Sequence, residues 1–74
     1  MNFDQTLDVR GLACPMPVVK AMKMLVGMSP GRVLRVIATD SGSVGDMAAF
    51  AEATGYELVA SEVSAKNFVF FLRR

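Results

Sequence analysis

Apolar and polar positions alternate through residues 3–9, FDQTLDV. Phe3, Gln5, Leu7 and Val9 fall on one side and Asp4, Thr6 and Asp8 on the other, as in a strand with one buried face. The period then changes. Over residues 15–28, Val18, Val19, Met22, Leu25 and Val26 gather on one side at helical spacing, while Met16, Lys20, Lys23 and Gly27 gather on another. The first set is expected to face the core. SPG at 29–31 breaks this helix, and RVLRVIAT at 32–39 is β-branched and strand-like. A second helix is predicted at 43–54, with Val44, Met47, Ala48 and Ala51 on one face, Glu52 directed away, and Gly55 in a left-handed stop. YELVASEV and NFVFFLRR follow as two strands joined by SAK, a hairpin.

The order β-α-β-α-β-β predicts an α+β fold. It is a two-layer α/β sandwich: a four-stranded mixed sheet with two helices on one face, parallel pairing through the helical crossovers and an antiparallel last pair. The other sheet face then lacks a helical cover. Val33, Ile37, Val69 and Phe71 alternate away from Leu34, Val36, Phe68 and Phe70, so both faces carry apolar side chains. The open face is either a half-exposed apolar sheet or a surface for weak self-association of an otherwise monomeric protein.

At 74 residues the chain is one domain, 1–74, with no internal repeat or linker. Its 53% hydrophobic and 20% charged content is that of a folded chain. The single cysteine rules out an internal disulfide, and MNFDQTLDVRG lacks the basic start and apolar run of a signal peptide. A cytoplasmic location is expected, with no membrane segment. A net charge of +1 gives no broad footprint for nucleic acid, and Arg73 and Arg74 read as a solvated tail. With one Cys and no His, no common zinc ligand set can be assembled, so neither a structural metal nor a resident cofactor is expected.

The chemistry narrows to RGLACPMPVVKAM, residues 10–22. A proline disfavours the helical region for the residue before it and suits the first helical position, so Cys14 is expected as an extended N-cap and Pro15 as the first helical residue. The sulfur would then lie at the positive end of a helix, where unpaired N–H groups lower a thiol's pKa by a fraction of a unit. Pro15 and Pro17 have no N–H, leaving Met16 and Val18 as donors. Arg10 is a second candidate for activating the thiol and a further candidate for docking a partner. Without His there is no general base for a cysteine hydrolase, and without a second Cys there is no dithiol oxidoreductase. What remains is single-thiol group transfer. Met16, Lys20 and Lys23 begin one turn from the sulfur and form a candidate docking stripe for an acidic partner; the alternative is an ordinary solvated face. The alternative for Cys14 is a small buried hydrophobe.

LDVRGLACPMPVVKAMKML resembles the signature of the TusA/SirA/YedF-like sulfur carrier proteins: a Leu-Asp-x-x-Gly strand end, then Cys-Pro-x-Pro opening the first helix. The similarity extends through Pro30-Gly31, Asp40, Asp46, Gly55 and Glu57-Leu58. The resemblance implies the same sandwich and a cysteine, Cys14, that carries sulfur as a persulfide. Pro15 and Pro17 would be its frame and Gly11 the residue that permits its loop. It implies a donor such as a cysteine desulfurase or rhodanese, and an acceptor sulfurtransferase with a reactive cysteine. Family uses include tRNA 2-thiouridine formation, molybdenum cofactor synthesis and sulfur oxidation, with a selenium-related role proposed for some members. The chain departs from the family at Asp40-Ser41, where Asp-Pro is common. It departs again at Asp46-Met47-Ala48, where an aliphatic-Pro pair commonly follows the Asp. The rival function from another class is a noncatalytic interaction or regulatory module in which Cys14 merely caps a helix.

Overall fold

The computed structural model describes all 74 residues. Its elements are β1 (Gln5–Asp8), α1 (Met16–Val26), β2 (Val33–Ala38), α2 (Ser43–Thr54), β3 (Glu57–Ser64) and β4 (Asn67–Arg73). The element order is the expected one. The sheet runs β1-β2-β4-β3: β1 pairs parallel with β2, while β4 pairs antiparallel with both β2 and β3. Only the first crossover therefore joins adjacent parallel strands. The second, through α2, skips one position, and β4 returns into the gap. The reason lies in composition: FVFFL is apolar on both faces and suits a central strand, whereas the largely exposed β3 suits an edge.

Leu34, Val36 and Ala38 of β2 join Phe70 and Leu72 of β4 on one sheet face. There they pack with Val9, Ala21, Leu25, Met28, Met47, Phe50 and Ala51. At roughly 25 cal/mol per Å² of apolar surface removed from water, this layer is the main favourable contribution to folding. Gly55 stops α2 at φ 83°, as its sequence position predicts. Ala65 turns the β3–β4 hairpin at φ 51°.

Three expectations change. α1 presents Pro17, Ala21 and Leu25 inward; of the set expected to face the core, Leu25 is fully buried and Val18 packs against the core, while Met22 and Val26 are 41% and 59% exposed. The helix carries apolar residues all round, so periodicity could not fix its rotation; small Ala21 on the contact line lets the helix approach the layer closely. In α2, Ser43 and Phe50 are buried with Met47 and Ala51, whereas Val44 and Ala48 are exposed. Arg73 and Arg74 do not form a solvated tail. Arg73 pairs with Glu57 at 2.8 Å, Arg74 N–H bonds Arg32 O at 3.0 Å, and the Arg74 guanidinium donates to the Met28 carbonyl.

The sheet's other face is partly covered from within the chain. Phe3 leaves the alternation predicted for β1 and packs on Phe71, ring centroids 6.3 Å apart, with the Arg35 guanidinium 4.2 Å above the Phe3 ring. Val33 and Phe71 are buried beneath this cover.

Candidate functional site

Because β1 and β2 are parallel neighbours, the loops leaving their C-terminal ends lie side by side and open α1 and α2 at the same edge. Gly11, at φ 83°, turns the first loop, and its N–H donates to Thr39 Oγ1 of the second at 2.9 Å. Ala13 O accepts the Met16 N–H at 2.9 Å, and Pro15, at φ −99°, is the N-cap of α1. Cys14 thus precedes the cap instead of forming it, and its peptide to Pro15 is cis. With Met16 N–H engaged and Pro15 and Pro17 lacking donors, Val18 is the one first-turn N–H left of the two expected to face the sulfur.

Cys14 is exposed, which excludes the buried-hydrophobe reading. It lines an open hollow of about 360 Å³ together with Pro15, Val18, Asp46, Ala49 and Phe50, between α1 and α2. Its Sγ donates to Asp46 Oδ2 at 2.6 Å, and its N–H donates to Asp40 Oδ2 at 3.3 Å. This corrects the electrostatic expectation. The hydrogen bond to Asp46 pushes the thiol's pKa above its ordinary value, with desolvation and the charges of Asp46 and Asp40 adding to the rise.

Arg10 does not compensate. Its guanidinium and N–H both bond Asp8, at 2.8–3.0 Å, and hold that carboxyl down to about 2. Lys20 and Lys23 lie in a separate shallow depression with Leu7 and Met24, on the β1 flank of α1, away from the hollow on its α2 flank. Met16 is 41% exposed on the first turn, and Pro17 is buried beneath it. The structure therefore assembles Cys14 and Pro15 with Asp46, and it sets the lysines apart.

Asp46 and Asp40 were not among the site residues expected from sequence. Their signal was indirect: DSGSVGD opens α2 after a strand parallel to β1, so its acids reach the same edge as the Cys14 loop. Ser43, buried in that turn, donates its hydroxyl to Asp40 O at 2.6 Å. This bond orders the start of α2.

Known proteins agree with this architecture. The family model described as Sulfurtransferase TusA matches residues 5–74. Sulfur carrier protein TusA of Allochromatium vinosum is 51% identical over 73 residues, covering 99% of this chain and 96% of the relative. Sulfur carrier protein TusA of Pseudomonas syringae pv. tomato is 34% identical over 74 residues, covering 100% of this chain and 88% of that one. The crystal structure of a SirA-like protein from Desulfitobacterium hafniense superposes with a TM-score of 0.83 at 27% identity, covering 95% of this chain and 96% of its own. Matched along nearly its whole length in both sequence and fold, the chain belongs to the TusA family.

Proposed function

We propose that the protein is a sulfur carrier that accepts sulfur as a persulfide on Cys14 and passes it to a cysteine of an acceptor protein. The observation that carries this reading is the setting of Cys14: the only thiol of the chain, exposed at the head of α1 in an open hollow. Family membership and the names of the relatives support it. In loading, the Cys14 sulfur attacks the outer sulfur of a donor persulfide. A new S–S bond forms on Cys14, the donor's S–S bond breaks, and the donor cysteine departs as a thiolate that takes up a proton. The exchange is balanced, thiol plus persulfide giving persulfide plus thiol, and needs no external oxidant or reductant. Unloading repeats it with the acceptor's cysteine as nucleophile. The chain supplies an aimed sulfur, and its partners supply the driving chemistry.

Incubation with a cysteine desulfurase, cysteine and pyridoxal phosphate is expected to add the mass of one sulfur atom to the protein. The Cys14→Ser variant is expected to gain none. Because Cys14 does not cap α1 and a serine hydroxyl can still donate to Asp46, the variant should fold like the parent. Failure of the parent to load under conditions that load another carrier would overturn the proposal. Full biological function of Cys14→Ser would favour the interaction-module reading.

A further inference from the structure

The hollow contains a charge arrangement that sulfur carriage alone does not require. Asp46 reaches the sulfur from α2, and Asp40 reaches the Cys14 backbone from the β2–α2 loop. No cation opposes them: Arg10 is committed to Asp8, and Lys20 and Lys23 occupy the other flank of α1. Gly42 lets the two loops approach closely, since a Cβ there would come within 3.0 Å of Asp40 Oδ2 and 3.8 Å of the Cys14 Cβ.

We propose that Asp46 is a positioning residue that discriminates between the empty and loaded carrier, holding the empty Cys14 as a hydrogen-bonded neutral thiol and turning the loaded sulfur outward. The inference rests on the carrier reading of Cys14. In the empty protein the S–H donates to Asp46 Oδ2 at 2.6 Å, which favours the protonated sulfur and slows its reaction with small electrophiles. A hydropersulfide ionises more readily than a thiol. Once ionised, its outer sulfur has no proton to donate and meets the like charges of Asp46 and Asp40. It is therefore driven toward the open mouth of the hollow, where, once reprotonated, it can be attacked by an acceptor thiolate, Cys14 departing as a thiolate that takes up a proton.

The experiment follows alkylation of Cys14, the only thiol, by iodoacetamide as a function of pH. The purified proteins compared are the parent, Asp46→Asn, Asp46→Glu and Asp40→Asn. Asn has nearly the shape of Asp but no charge, and its amide can donate to a thiolate. Asp46→Asn is expected to move the midpoint down by at least about half a unit and to speed alkylation near neutrality by about threefold or more. Asp46→Glu should return the profile toward the parent's, and Asp40→Asn should shift it less than Asp46→Asn. A folded Asp46→Asn protein whose profile superimposes on the parent's would overturn the proposal. The parent alone gives an independent check by the ultraviolet absorbance of its thiolate: a midpoint at or below that of an unperturbed cysteine would overturn it even if the variants do not fold. Because alkylation needs no sulfur donor, this test can fail while Cys14 loads normally, and loading can fail while this test succeeds.

Discussion

Gly11 shows how much of the site depends on one backbone angle. It sits at φ 83°, and a Cβ built there would meet nothing within 4 Å. The penalty for any other residue is therefore conformational and not steric. Gly11→Ala is expected to lower stability by about 1–2 kcal/mol, the cost of a left-handed conformation for an L side chain, as read by urea denaturation. Retention of the Thr39 hydrogen bond should leave the alkylation rate of Cys14 close to the parent's; an unchanged midpoint of unfolding would show that the loop does not need this angle. Cys14, Gly11 and the two prolines were legible in the sequence because their roles follow from local backbone chemistry. Asp46 was not legible as a site residue. Its role comes from the meeting of the Cys14 loop with the first turn of α2, Cys14 and Asp46 being 32 residues apart, and only strand pairing brings them together.

Among the elements, α1 separates what periodicity can reveal from what packing decides. Its existence and approximate limits follow from the Pro-x-Pro start and the SPG stop. Its rotation does not, since MPVVKAMKMLV has apolar residues on every side. The helix settles on Pro17, Ala21 and Leu25 and leaves Met16, Met22 and Val26 in solvent. Leu25→Ala removes a fully buried side chain and is expected to cost about 2–5 kcal/mol, whereas Met22→Ala should cost no more than about 0.5 kcal/mol. Thermal unfolding of the two variants checks the assignment, and equal destabilisation would restore the helix face expected from periodicity. The exposed apolar residues of α1 are thus free to serve something other than folding. The same competition between pattern and packing explains Phe3. Alternation assigned it to the Leu7 and Val9 side, but its ring covers Phe71 on the opposite sheet face, which alternation had left open.

Across the whole molecule, the two flanks of α1 carry opposite charge: Asp46 and Asp40 beside Cys14 on the α2 side, Lys20 and Lys23 on the β1 side. A donor that reaches the sulfur and also engages the lysines must straddle the outward surface of α1, over Met16, which is 41% exposed. Exposed charges at the rim of such a contact act chiefly on encounter rate, and their reach is about 10 Å at 0.1 M salt. Charge reversal in Lys20→Glu/Lys23→Glu is therefore expected to slow sulfur transfer from a donor by about tenfold at low ionic strength, with the deficit shrinking as salt is added. Alkylation of Cys14 by iodoacetamide should be unaffected, because neither lysine lines the hollow. Rapid-mixing measurements of both reactions on the same variant separate docking from tuning. Equal slowing of transfer and alkylation would mean that the lysines act on the thiol across the helix, and unchanged transfer at low salt would remove them from the docking surface.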